Sequence, residues 1–177
     1  TDPAAGWIEI LYKIVGPGLE ALSKQRLGAT LSVMGPIGQG FKPSPQRPKT
    51  LLVGGGVGIP PMVFLAESLK ERNDAAWQPL VLMGSEIPCM PLLDGWGVPS
   101  RLASLAGFPG CFDGYVTDLA AAWLSSLDAT ALAEVEMFAC GPTPMLQATA
   151  TVARRFGVPC QVSLEEFMAC AVGGCAG

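Results

Sequence analysis

The hydrophobic and polar positions of the chain alternate between two periodicities. Short apolar runs typical of buried strands occur at residues 50–53, 79–83, 135–139 and 160–163. Segments with helical spacing lie between them, at 61–72, at 118–126 with Thr117 as cap, and from cap Thr143 to about Phe156. Strands that alternate with helices predict an α/β unit, an open parallel sheet with helices on both faces.

Two parts of the pattern are less regular. Residues 92–105 are ambiguous, and we expect a helix after Pro99. Tyr115 and Val116 are predicted to form a short strand just before the Thr117 cap.

The first 48 residues read differently. Residues 7–15 and 31–34 are rich in strand formers, and 19–24 is predicted as a short helical turn. Two strands cannot close a sheet by themselves, so we expect the tail of an antiparallel β-barrel whose earlier strands are absent from this chain. Residues 42–48 contain three prolines and are predicted to be the linker into the α/β unit.

A glycine-rich turn follows the strand at 50–53. Glycines at 54, 55, 56 and 58 allow positive φ and a close approach of the backbone to a ligand. Pro60 and Pro61 then open a helix, whose N-terminus is a natural phosphate site. Ile59 stands where G-x-G-x-x-G needs its last glycine, so the standard dinucleotide fingerprint is not met, and a tight turn without ligand is an alternative.

Two further turns also follow predicted strands, Gly84-Ser85 and residues 140–142. In open parallel sheets, ligands bind outside the carboxyl ends of the strands. Because all three turns are expected at that edge, together they favour a ligand site over a simple turn.

Composition narrows the function. The 177 residues carry a formal net charge of -4, which argues against a nucleic-acid or anionic-membrane partner. No apolar run has the length of a membrane span, so we expect a soluble, cytoplasmic protein. Mean hydropathy is +0.40 with 15% charged residues, which indicates burial against something else or a missing part of a larger protein.

The chain contains no histidine. This excludes Ser-His-Asp and Cys-His catalysis and every metal site that uses histidine. Six cysteines are present, and without a secretory signal we expect them to be reduced.

Three motifs occur in an order that resembles the ferredoxin–NADP reductase superfamily: LLVGGGVGIPP at 51–61, GYVTDL at 114–119 and CGPTPML at 140–146. Within it, YKIVGPG, GPIGQGF and the terminal SLEEFMACAVGGC resemble the family of electron-transfer subunits that serve NAD-linked dihydroorotate dehydrogenases. The resemblance covers nearly the whole chain.

The resemblance implies a function and three segments. NADH would give hydride to FAD, and a [2Fe-2S] cluster would pass electrons to a catalytic dihydroorotate dehydrogenase subunit of pyrimidine biosynthesis, in a heterotetramer. Residues 1–48 would be the carboxyl-terminal part of the FAD-binding barrel with the linker. Residues 49–163 would be the NAD-binding domain, and 164–177 the start of an incomplete cluster-binding segment.

The resemblance also implies site residues. Cys140 would lie beside the nicotinamide carbon that gives up hydride; an inert buried thiol is the alternative. The expected NAD site comprises Gly55, Gly56, Val57, Gly58, Ile59, Pro60, Gly84, Ser85, Gly141, Pro142 and Met145. The expected FAD site comprises Leu11, Tyr12, Lys13, Gly18 and Leu19. Ordinary strand packing is the alternative for Tyr12.

The chain departs from the family pattern in the FAD segment. Leu19 stands where the family usually has Thr, which removes a hydroxyl contact to the FAD phosphate and leaves backbone N–H groups. The family's earlier flavin motif is absent. Residues 47–50 imitate it, but directly before the glycine turn, and we interpret that match as chance.

Cys170 and Cys175 are separated by four residues, as in the C-x4-C start of plant-type [2Fe-2S] sites. A cluster needs four ligands, so this chain by itself is not expected to hold one, and we expect the chain to be cut at both ends. Residues 84–91 contain Glu86 but no Lys or Arg, which favours NAD over NADP.

Three alternatives remain at this point. The chain could serve a ferredoxin, sulfide or hydrogenase partner as another diaphorase-type subunit. It could be a nucleotide-binding module without redox function. A transferase or hydrolase using Cys140 is a third, although no residue is positioned by the sequence to activate the thiol.

Overall fold

The computed structural model describes residues 5–33, 38–87 and 97–164. Phe41–Leu164 forms one compact unit, and the described residues before Phe41 belong to a second. The Phe41–Leu164 unit contains the predicted α/β domain.

A parallel sheet forms the centre of the Phe41–Leu164 unit. The described residues give six strands in the order β4-β3-β2-β1-β5-β6, with every neighbouring pair parallel. Their bounds are β1 Lys49–Gly55, β2 Gln78–Gly84, β3 Ser100–Ser104, β4 Phe112–Asp113, β5 Val135–Cys140 and β6 Cys160–Ser163. The chain adds β2, β3 and β4 on one side of β1 and then returns to add β5 and β6 on the other side. The strand order therefore reverses between β1 and β5.

Helices connect the strands. Their bounds are α1 Gly16–Ser23 in the amino-terminal unit, then α2 Ile59–Glu71, α3 Val116–Ser125, α4 Ala129–Ala133 and α5 Thr143–Phe156. Gly157 ends α5 in the left-handed conformation at φ 66°. None of the described helices combines the length and the apolarity that crossing a membrane requires.

The core lies on both faces of the sheet, since buried residues alternate along the strands. On one face, α2 packs against strand residues that include Leu52, Val81 and Phe138. On the other, α3 and α5 pack against Leu51, Leu82 and Met137, among others. The predicted fold class, an open parallel sheet with helices on both faces, is therefore confirmed.

Several local predictions were wrong. A strand, β3, follows Pro99 instead of a helix, because Leu102 and Ala103 are buried in the sheet and pair with β2. The short strand β4 ends before Gly114, so Tyr115 is the N-cap of α3 and Thr117 lies inside the helix. Sheet pairing has overridden the local preference in both cases.

The ends of two elements also differ from prediction. Cys140 is the last residue of β5 rather than part of the turn, and Thr143 is the first residue of α5 rather than its cap. The short helix α4, begun by an Asp128 side chain that accepts from the Ala131 N–H at 2.8 Å, was not predicted.

The amino-terminal unit contains less regular structure than expected. Within residues 7–15, Trp7 is an isolated bridge residue and the rest form no strand. Residues 31–33 form none either, and Met34 lies outside the described residues. A strand needs a hydrogen-bonded neighbour, and the described residues of this segment do not provide one. That this segment is part of a barrel therefore stays a prediction.

The Thr50 hydroxyl generates a stability prediction. Its Oγ1 is buried without a hydrogen-bond partner, whereas the Thr149 hydroxyl, also buried, donates to the Met145 carbonyl at 2.8 Å. We expect Thr50→Val to raise the free energy of unfolding by about 1 kcal/mol, because it removes an unsatisfied polar group and keeps the shape of the side chain. Urea denaturation of the purified chain measures this value.

Thr149→Val is the matched control. It also replaces a hydroxyl by a methyl group of similar size, but this hydroxyl is hydrogen-bonded. We therefore expect it to lower the free energy of unfolding by about 1 kcal/mol. Equal effects of the two substitutions would contradict the assignment of Thr50 as unsatisfied.

Candidate functional site at the carboxyl edge of the sheet

The glycine turn after β1 is short and tightly folded. Gly56–Gly58 forms one turn of 3-10 helix, in which Gly56 has φ +56° and Gly58 is buried. Gly56 and Val57 are exposed, with Val57 41% accessible. The turn thus presents its first two residues outward and packs its last inward.

The inward packing is against the turn after β5. A Cβ atom on Gly58 would lie 2.1 Å from the carbonyl oxygen of Cys140, and one on Gly141 would lie 3.1 Å from the carbonyl oxygen of Gly55. Real Cβ atoms essentially never approach another atom to 2.1 Å, and a distance of 3.1 Å is tighter than most of their contacts. The two turns therefore meet backbone to backbone, at the point where the strand order reverses.

Met145 covers this junction. A Cβ atom on Gly55 would lie 2.6 Å from its Sδ, and one on Gly141 would lie 2.7 Å from its Cε. Met145 extends from the first turn of α5, and its thioether adapts to narrow gaps. One side chain thus contacts both turns.

The third predicted turn lies on the same edge, because Gly55 pairs with Gly84 and Gly54 with Cys140. The Ser85 N–H donates to the Ala103 carbonyl at 3.2 Å. Its hydroxyl donates to the Ile87 carbonyl at 2.9 Å. The structure therefore brings all three turns together.

The beginning of α2 corrects one expectation. Pro60 and Pro61 occupy its second and third positions and have no N–H, and the Ile59 N–H donates to the Gly56 carbonyl. These first three positions therefore offer no main-chain donor to a phosphate. The exposed turn at Gly56 and Val57 is the part of this loop where N–H groups can meet an anion.

Charge is distributed unevenly between the two edges of the sheet. Within the described part of this unit, the charged side chains that follow the carboxyl ends of β2 and β4 are acidic: Glu86, Asp113 and Asp118. Basic residues cluster toward the opposite edge, before β1 and in or just after the last turns of α2 and α5. There Arg72 and the Trp77 indole N–H hold the pKa of Asp74 down at about 2.

Comparison with known proteins finds similar electron-transfer subunits. No family model matches the chain. The electron-transfer subunit of dihydroorotate dehydrogenase B (NAD(+)) from Shouchella clausii is 36% identical over 180 residues, 98% of this chain and 64% of the relative. The subunit of the same name from Bacillus caldolyticus is 34% identical over 181 residues, 98% of this chain and 65% of the relative.

The chain is similar to these electron-transfer subunits over nearly its whole length. It spans about 64% of the length of the first of these relatives.

Two solved structures superpose on this chain. The NADH-dependent reduced ferredoxin-NADP oxidoreductase superposes with a TM-score of 0.71 and 29% identity, over 93% of this chain and 57% of that one. The carboxyl-terminal domain of a Pyrococcus furiosus hydrogenase, with TM-score 0.54 and 19% identity over 73% of this chain and all of that one, shares the fold. The resemblance to the ferredoxin–NADP reductase superfamily is thus confirmed.

Cys140 is the family position expected beside the nicotinamide. It ends β5, is 9% accessible, and packs in the apolar cluster on the α2 face together with Ile59 and Met62. Its catalytic role stays a prediction. Cys160 is a different case, since burial, with a smaller effect of Glu136, raises the pKa of its thiol to about 11 and keeps it protonated at neutral pH.

The residues predicted to bind FAD belong to the amino-terminal unit. Gly18 and Leu19 lie inside α1, and Leu11, Tyr12 and Lys13 lie in the irregular segment before it, all in the amino-terminal unit. The predicted FAD contacts of these five residues stay predictions. Cys170 and Cys175 lie outside the described residues.

Gly54 belongs to the predicted glycine turn but is not among the residues of the expected NAD site. A Cβ atom there would lie 2.9 Å from the Cα of Ile59, so only glycine lets the chain fold back from β1 into α2. The unbroken run of three glycines could have indicated this close approach of the backbone.

Because the two turns are in contact, adding one methyl group at Gly58 should destabilise the fold strongly. Gly58→Ala should lower the free energy of unfolding by about 3 kcal/mol, at the upper end for overpacking, because the obstructing atoms belong to the backbone of Cys140 and cannot rotate away. Urea denaturation measures the change.

Gly157→Ala is the control in the same unit. Its Cβ would meet open space, and only the left-handed φ of 66° opposes it, at about 1 kcal/mol. A Gly58→Ala variant no less stable than the control would show that the turns do not touch as described.

Proposed function

We propose that this chain is the central part of an electron-transfer subunit that oxidises NADH through FAD and passes the electrons to a catalytic dihydroorotate dehydrogenase subunit. The observation that carries the proposal is the junction of the glycine turn with the Cys140-Gly141 turn at the switch point of a parallel sheet. The similarity to the electron-transfer subunits of dihydroorotate dehydrogenase B (NAD(+)) supports the same function.

The outward face of the junction fits a dinucleotide. Gly56 has open space where a side chain would stand, and with Val57 it forms an exposed stretch of backbone. We assign the pyrophosphate to the turn from Gly55 to Pro60, with binding through main-chain N–H groups, since no basic side chain follows the described ends of β1, β2 or β5.

The turn after β5 would hold the nicotinamide. Pro142 is exposed beside the buried Cys140, and Met145 fixes the distance between this turn and Gly55. A backbone held on both sides in this way orients a flat ring and excludes water from it. We assign Gly84 and Ser85, at the end of the neighbouring strand β2, to the same ligand.

Bound FAD would supply the conversion between a two-electron hydride and single electrons. The chain's own contribution is to position NADH, and hydride transfer needs no side-chain base, so the absence of histidine is compatible with it. The FAD-binding residues 11–13, 18 and 19 belong to this proposal.

The remaining parts of the proposal rest on the sequence and on the similarity to the electron-transfer subunits. They are the segment boundaries 1–48, 49–163 and 164–177, a [2Fe-2S] cluster that Cys170 and Cys175 would help to bind in a longer protein, the heterotetramer, and a cytoplasmic location. The cysteine spacing and the family support them.

A diaphorase-type subunit with a different acceptor is the second candidate. The likeness to an NADH-dependent reduced ferredoxin-NADP oxidoreductase favours it specifically, because that structure covers 93% of this chain. The two candidates share NADH oxidation by FAD and differ only in the partner.

Absorption spectroscopy tests the shared part of the proposal. We expect the purified chain to bind added FAD, and NADH to bleach the flavin band. Retention of NADH without FAD binding would restrict this chain to the nucleotide half of the function. Binding of neither cofactor would contradict the proposal and leave a module without redox function.

The acidic edge predicts the choice of dinucleotide. Glu86, two residues beyond β2, can accept a hydrogen bond from a ribose hydroxyl but repels a 2′-phosphate. We expect a lower Kd for NADH than for NADPH, and Glu86→Arg to shift the ratio of the two by about tenfold toward NADPH, which corresponds to about 1.4 kcal/mol. Fluorescence titration with both nucleotides measures it.

Glu67→Arg makes the same charge change on the exposed side of α2 and should leave the ratio unchanged. Tighter binding of NADPH than NADH by the unmodified chain would overturn the assignment.

A further inference from the structure

The linker before β1 is attached to the sheet by side chains that the proposed reaction does not use. Residues from Phe41 to Arg47 belong to the same compact unit as the sheet. The Phe41 ring packs edge-on against the Phe138 ring with centroids 5.4 Å apart. Because Phe138 is on the α2 face, the linker lies on that face, over β5 and β6.

Gln161 of β6 holds one point of the linker twice. Its side-chain oxygen accepts from the Lys42 N–H at 3.0 Å, and its side-chain nitrogen donates to the Lys42 carbonyl at 2.9 Å. A primary amide that satisfies both backbone groups of one residue fixes the position and the direction of the chain there.

Glu136 of β5 holds a second point. It is 5% accessible, and its two oxygens accept from the Ser44 N–H and from the Gln161 side-chain nitrogen, each at 2.9 Å. A carboxylate is costly to bury unless its oxygens are hydrogen-bonded. Both of these partners belong to the linker or to the amide that holds the linker, so burial of Glu136 depends on the linker being docked.

Arg47 provides a third point of attachment, at the carboxyl end of the linker. Its guanidinium donates to the carbonyl of Val135 at 3.0 Å, directly before Glu136. Pro43, Pro45 and Pro48 lie among these attachment points and stiffen the segment. A stiff segment held at three points transmits its placement to whatever precedes it in the chain.

We propose that Glu136 and Gln161 are positioning residues, which fix where the chain leaves the NAD-binding unit and thereby set how fast electrons pass from NADH to FAD. This inference rests on the proposed function. Neither residue lies at the nucleotide edge: Glu136 is the second residue of β5 and Gln161 the second of β6. Their loss should therefore affect the transfer step and leave nucleotide binding intact.

Gln161→Ala tests the inference in the full chain loaded with FAD, by two measurements. Amide hydrogen exchange reads the attachment directly, and we expect faster exchange at Lys42 and Ser44, by about fivefold or more. Stopped-flow absorbance reads the reaction, and we expect the rate of flavin reduction at saturating NADH to fall by about tenfold with the Kd for NADH unchanged.

Two further variants complete the design. Gln78→Ala removes the same kind of side chain from an exposed position at the start of β2, and should change neither measurement. Glu136→Gln keeps the size of the side chain, and we expect it to change both measurements in the same direction but less; it replaces Gln161→Ala if that variant does not fold.

The outcomes separate the two levels of the proposal. Unchanged exchange at Lys42 and Ser44 would overturn the attachment. Faster exchange with an unchanged reduction rate would overturn the positioning role. Failure of the unmodified chain to take up FAD and NADH would overturn the proposed function and the positioning role with it, while exchange would still decide the attachment.

Discussion

The absence of two Cβ atoms is the constraint on which this site depends. β1 and β5 are neighbours, and the turns that follow them occupy the same space only because Gly58 and Gly141 place bare backbone against the carbonyl groups of Cys140 and Gly55. The contact buries Gly58 and leaves Gly56 and Val57 exposed. The proposed dinucleotide site at this edge would therefore be formed mainly by the main chain, and Met145 is the side chain that contacts both turns.

A main-chain site has an electrostatic consequence. Pro60 and Pro61 deprive α2 of the donors that a helix N-terminus usually offers, and the nearby charges after β2 and β4 are acidic. Under the proposed function, a pyrophosphate would be bound by a few convergent N–H groups, whereas an additional phosphate on the ribose would meet negative side chains with no cation beside them among the described residues after β2 and β4. The proposed preference for NADH over NADPH rests on this charge distribution.

The sequence predicted the sheet, four of its six strands in outline, and the convergence of the three turns, because apolar runs and glycine turns are local signals. It failed where pairing decides the outcome. The segment after Pro99 has no strong preference of its own, and it became β3 because β2 offered a neighbour with an open edge. The strands expected at 7–15 and 31–34 have strand-forming residues but no neighbour among the described residues, and composition alone does not form a strand. The contact of Gly58 with Cys140 joins residues 82 positions apart, and nothing in either motif alone indicates it.

A long-range contact explains why Glu136 is buried in a strand of otherwise apolar residues. In the run VEMFAC it looks like the one polar interruption of a buried strand, and its burial would be unfavourable if the sheet stood alone. The linker changes this, because Ser44 and Gln161 supply donors to both carboxylate oxygens. A hydrophobic residue at this position could not hydrogen-bond to a particular linker residue. The buried charge therefore favours one register of the linker on the sheet.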